Sequence, residues 1–366
     1  MKRFRLFLIG LVAVGALTMA GCGGSSSSGP APEVPTPVAE IEFETPEVAL
    51  PDVDSTFSAG IAISAEGIAV GYGDDGTGLT KGVKWDVTDP TSATLLLPQE
   101  GNNYSAAYGV AGELSVGETS ITVEDVADAN TRAAYWQGNG AASLLPHGDL
   151  LAGPSAAYSV NSADEIVGEA GDLDGNTVAV YWRDTDAAPL TLDHLSDAAI
   201  SSAYFIGDNG IIVGESVIDG QLTAVMWLPT GPNAYGAPVA LESVAGQIAS
   251  VAFGVDFAGR VVGEAEVDDN GTKVVHGVLW GADGAVVESL AGASFQSINT
   301  TENNRIVGYT QALSGGQETA VIWNRADLSD NKVLAPAFSM AFGINDASRV
   351  VGIAANQVAI AEPVEP

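Results

Sequence analysis

The chain has 366 residues, 13 basic against 46 acidic, a formal charge of −33 at pH 7, 46% hydrophobic residues and one cysteine. That charge excludes a nucleic-acid binder, which needs clustered Lys and Arg, and it opposes docking on anionic lipid. A single cysteine excludes an internal disulfide, and the apolar share is ample for a core.

In chain order, Lys2, Arg3 and Arg5 precede an uncharged run over 6–20. The run is too short to span a bilayer, which takes about 20 residues. A basic start, a short apolar run and small residues at its end predict an export signal over 1–21. The run ends "LTMAGC", which resembles the lipobox of bacterial lipoproteins. The resemblance implies that Cys22 is lipidated, begins the mature chain and anchors it to the membrane. Ala20, Gly21 and Cys22 fit that pattern, whereas Met19 stands where Leu is commoner. Gly23 rather than Asp follows, which resembles the outer-membrane sorting class. Residues 22–38 are rich in Gly, Ser and Pro, cannot bury enough apolar area to fold, and read as a flexible tether.

A single domain is expected over 39–366, because one segment recurs along it. Its copies are "SAGIAISAEGIAVGY" (58–72), "AYGVAGELSVGE" (107–118), "AYSVNSADEIVGE" (157–169), "AYFIGDNGIIVGE" (203–215), "AFGVDFAGRVVGE" (252–264), "FQSINTTENNRIVGY" (295–309) and "AFGINDASRVVGI" (341–353). The repeat glycines Gly71, Gly117, Gly168, Gly214, Gly263, Gly308 and Gly352 are 46, 51, 46, 49, 45 and 44 residues apart. All six Trp follow, one in each of the first six units.

Each unit predicts four short strands, which in the third unit fall at 157–161, 165–169, 178–182 and 189–192. They are rich in Val, Ile and Tyr and are bounded by Gly, Asn, Asp and Pro. The Ala-rich stretches lack the 3.6-residue stripe of a helix. Four strands at this period match a propeller blade, so the expectation is an all-β, seven-bladed β-propeller of four-stranded blades. An open β-solenoid is the alternative; it would need capping units that the sequence does not show. The third strands are apolar on both faces, as in a sheet sandwiched between neighbours, and their Trp residues read as core. Unit seven stops after 341–345, 349–352 and 357–361, without a Trp or a fourth strand. "EVALP" (47–51) is similar to the fourth strand "SLLP" (143–146). The N-terminal strand is therefore expected to join the C-terminal blade and leave no edge open.

The repeats resemble the HAF family of probable extracellular repeats. That family pairs an "A-x-x-I-N-x-x-G-x-V-V-G" segment with an "H-A-F-x-W" strand. "AFGINDASRVVG" (341–352) and "AFGVDFAGRVVG" (252–263) carry the first part, and "HGVLW" (276–280), with His276 in the His position, is nearest to the second. The resemblance implies an exported repeat protein with no assigned chemistry, and it brings no catalytic residue.

Candidate chemistry is sparse. His147, His194 and His276 are not spaced as zinc ligands. Lipidation of Cys22 leaves no thiol, and no G-x-S-x-G, P-loop or helix-opening G-x-G-x-x-G occurs. Ser64, Asn161, Asp256, Asn299 and Asn345 share one turn position and are expected to cap their own backbone. In "DLDGN", Asp172, Asp174 and Asn176 place oxygens at alternate positions like the start of a calcium loop. Calcium takes about 6–8 oxygens, so a solvated hairpin turn is the competing reading. Glu118, Glu169, Glu215 and Glu264 directly follow the repeat glycine in four successive units. They read as an acidic arc for a basic partner or as strand-end charges kept in water.

The function expected is a monomeric, lipid-anchored propeller of the bacterial envelope, an outer-membrane lipoprotein that binds or scaffolds a protein or glycan partner. No catalysis is evident, calcium is the one cofactor candidate, and nucleic acid is no partner. The alternatives are a polysaccharide hydrolase or lyase working with carboxylates, and an outer-membrane assembly factor.

Overall fold

The computed structural model describes residues 57–363, apart from 75–76, 90–91, 121–130, 150, 197–199, 300–303, 312–317 and 335–337. Cys22, the tether and the segment 39–51 lie outside the described residues.

Among the described residues every regular element is a strand. Apart from a two-stranded hairpin, Pro229–Gly231 with Ala234–Tyr235, the strands form seven successive sheets, one per sequence unit, and the architecture is a seven-bladed β-propeller. Blade three pairs Leu151–Val160, Ile166–Asp172, Thr177–Trp182 and Leu190–Thr191 in that order. Its first strand begins earlier than the sequence pattern suggests, because after an irregularity Leu151 pairs with Asp172. The turns use residues suited to positive φ, such as Asp164 at 62° and Gly175 at 84°. Blade one gains a short parallel strand, Gly140–Ala141, beside Thr94–Leu97. Blade seven has three strands among the described residues, Phe338–Ile344, Val350–Ala354 and Gln357–Ala361.

The core lies between blades, since each sheet must bury both faces. Leu114 and Val116 of blade two pack with Ile166, Val180 and Trp182 of blade three. Ala69, Val83 and Trp85 of blade one pack with Val351, Val358 and Ile360 of blade seven, which closes the ring. All six Trp are at most 1% exposed. In four blades the indole also bonds backward to the preceding blade: Trp136 to Leu97 O, Trp182 to Pro146 O, Trp227 to Asp193 O and Trp280 to Glu242 O, at 2.7–2.8 Å. Each of these four Trp thus joins apolar burial to a directional bond that sets blade against blade.

Candidate ligand-binding funnel

The site starts from a bulge that every blade repeats. The pairing of first and second strands slips by one residue between Gly60 and Ala62, and at the same place in the other six blades. The extra residues are Ile61, Tyr108, Tyr158, Tyr204, Phe253, Gln296 and Phe342. A bulge bends the strand and re-aims a side chain. The repeat glycine faces this distortion. A Cβ on Gly168 would collide with the carbonyl oxygen of Ala156, and the other six repeat glycines meet the equivalent carbonyl. The glycine is therefore the space that lets the bulge form.

The seven bulged side chains are half-buried, although most of their strand neighbours are buried. All seven line one cavity of about 500 Å³ to which every blade contributes. Ring centroids run Tyr108 to Tyr158 at 5.7 Å, Tyr158 to Tyr204 at 5.4 Å and Tyr204 to Phe253 at 6.1 Å, a continuous aromatic collar. The other lining comes from the turns between first and second strands, including 64–66, 112–113, 161–162 and 345–346, so the funnel opens on that face. Glu66, Glu113, Asp164, Asp208 and Asp346 bring carboxylates to it, and among the described residues no Lys, Arg or His lines it. Glu113 pairs with Lys84 at 3.0 Å, and Asp208 accepts the Ser162 N–H at 2.9 Å.

Behind the collar stand Glu118, Glu169, Glu215 and Glu264. They share one register position, opposite Ala106, Ala156, Ser202 and Val251. They are neither a surface arc nor wet strand ends: Glu118, Glu215 and Glu264 are 3–4% exposed, and Glu169 is half-buried. The position is interior because its side chain projects toward the next blade's first strand, where Ser202 donates to Glu169 at 2.6 Å and Ser294 to Glu264 at 2.5 Å. Tyr104 and Tyr108 both donate to Glu118 at 2.9 Å, and Tyr204 donates to Glu215 at 3.0 Å. Burial pushes Glu215 well above the usual carboxylate range, and it lifts Glu264 to about 7 against the lowering bond from Ser294. Burial, with the field of Glu118, also raises the Tyr72 hydroxyl to about 12.

The turn residues do more than cap. Asn161 Oδ1 accepts the Ala163 and Glu165 N–H groups, while its Nδ2 donates to Gly207 O of the next blade. Asp256, 1% exposed, accepts from Arg260 at 2.8 Å and from Arg325 of the following blade at 2.5 Å. In "DLDGN", Asp172 Oδ1 accepts the Asp174 and Asn176 N–H groups, and Oδ2 accepts from Asn176 Nδ2. These bonds hold the Asp172 carboxyl below its ordinary value despite opposing desolvation. Both Asp172 oxygens bond within the hairpin, as the turn reading expects. Among the described residues no three His, Cys, Asp or Glu side chains stand close enough to share a metal ion. His276 is half-buried on its strand.

The sequence reading missed the collar, although its signal lies in the repeat itself. An aromatic residue follows the Ala in "AYG", "AYS", "AYF" and both "AFG" copies.

No protein-family model matches the sequence, and no curated protein matches it. Solved propeller structures do. A puromycin-hydrolyzing peptidase of Mycobacterium tuberculosis is similar with a TM-score of 0.53 at 12% identity, over 85% of this chain and 51% of the peptidase. The chain thus spans about half the length of that protein. A streptogramin B lyase is similar with a TM-score of 0.49 at 11% identity, over 89% of this chain and 98% of the lyase. The likeness to the peptidase, at such identity, speaks to the fold and not to activity.

Proposed function

We propose that this protein is a binding propeller of the bacterial envelope, tethered by a lipid on Cys22, which takes its ligand in the central funnel. One observation carries the reading: seven bulges aim seven side chains into one cavity, and five of the seven are aromatic. A concave site of this volume, apolar at its base and polar at its rim, is the usual form of a small-molecule site. Of the carboxyls with raised pKa, Glu215 and Glu264 are buried behind the collar, and neither they nor Glu318 stand on the funnel lining. That arrangement favours binding over carboxylate hydrolysis. The resemblance to HAF repeats fits an exported protein of this kind.

The test compares the full chain with Tyr158→Ser and Phe253→Ser. Each protein is incubated with an envelope small-molecule extract, and bound species are read by native mass spectrometry, with a glycan array alongside. The native chain should retain a ligand that both variants lose while keeping its melting temperature. Equal retention by all three would overturn the reading. Cell fractionation of Cys22→Ser tests the anchor, since the variant should leave the membrane pellet.

A further inference from the structure

We propose that the funnel selects an organic cation with an apolar body, such as a quaternary or alkylated ammonium group; this rests on the funnel being the ligand seat. A cation is attracted to an aromatic face within about 6 Å of the ring centre. Tyr108, Tyr158, Tyr204 and Phe253 form an unbroken arc at that scale, with successive centroids 5.4–6.1 Å apart. The hydroxyls of Tyr108 and Tyr204 donate to Glu118 and Glu215, and the bond to the Glu118 carboxylate enriches the Tyr108 ring in electron density. The mouth carries five carboxylates, while no described Lys, Arg or His lines it.

The same bonds argue against a sugar. A sugar needs donors and acceptors facing the cavity, yet the Tyr108 and Tyr204 hydroxyls are turned back onto carboxylates. Gln296, the one amide among the bulged residues, donates to Ser294 at 2.6 Å. The walls are thus mainly aromatic, with Ser159, Gln296 and Ser297 the polar exceptions, and the rim carries the negative charge.

The probe is choline, with its uncharged carbon isostere 3,3-dimethyl-1-butanol as control. Both are titrated calorimetrically into the full chain at constant ionic strength. Choline should bind roughly tenfold more tightly than the isostere, and Tyr158→Leu, which keeps apolar volume without the π face, should weaken choline roughly tenfold. If the isostere binds as well as choline, or choline does not bind at millimolar concentration, the cation inference fails. Ligand capture by the native chain and its loss in Tyr158→Ser are read separately, so the funnel's role as ligand seat is judged independently of the cation.

Discussion

The side-chain amide of Asn345 in blade seven donates to the backbone carbonyl of Ser64 in blade one at 2.9 Å, joining residues 281 apart in sequence. Its Oδ1 accepts the Arg349 N–H within its own turn at 3.0 Å. One side chain therefore shapes a turn and straps the last blade to the first. Asn345→Asp keeps the acceptor and replaces the donor by a charge facing a buried carbonyl. It is expected to cost about 1–3 kcal/mol, read from the denaturant midpoint. Asn161→Asp loses the 3.2 Å strap to Gly207 and also the 2.7 Å bond that Nδ2 donates to Glu165, and it sets two carboxylates against each other, so it too should destabilise by about 1–3 kcal/mol.

Gly168→Ala and Gly214→Ala should each destabilise by about 1–3 kcal/mol, since the added methyl meets a strand carbonyl rather than a movable side chain. Gly175→Asn is the control. Gly175 has φ of 84° and open space around it, and Asn tolerates that conformation. Thermal melts should place the first two well below the third.

Stability should fall as pH rises. Glu264 titrates near 7 in the folded chain against an ordinary value of 4.5. The folded state thus binds more protons between these values, and its stabilisation is full below the lower and lost through the upper. Glu215 acts in the same direction. Melting temperature should therefore drop on going from about pH 5 to about pH 8. Glu264→Gln should flatten that slope, whereas exposed Asp219→Asn, which removes the same charge from a hairpin turn, should leave it.

Asp172→Ala removes three hydrogen bonds inside one exposed hairpin. The expected loss is about 1 kcal/mol, because water replaces the partners. Melts in NaCl, MgCl₂ and CaCl₂ at matched ionic strength separate turn from ligand. A turn responds to ionic strength alone, whereas a calcium site would respond to calcium beyond magnesium.

Much of the fold was legible in the sequence. The repeat glycines, the single Trp per unit and the strand-and-turn chemistry all announced seven blades, because each blade needs the same local pieces. The buried Trp residues followed from an apolar third strand. The Glu residues after the repeat glycine misled, because in strand notation their position is indistinguishable from a solvent-facing one. Whether it faces water depends on how closely the next blade's first strand approaches, as Ser202 does to Glu169. At Asp172 the sequence leaves two readings side by side, because alternate oxygens in a Gly-containing turn suit both a cation and the turn's own N–H groups, to which the Asp172 oxygens are bonded here.

The sequence by itself determined the period, the strand content and the core, since these rest on local propensity and on which side chains avoid water. Only the tertiary structure decided where the aromatic residues of "AYS" and "AFG" point. Their direction is set by a bulge, and the bulge exists because Gly168 and its counterparts let a carbonyl from the neighbouring strand come closer than any Cβ would permit. That contact lies between strands, and its sevenfold repetition brings side chains from every blade into one cavity.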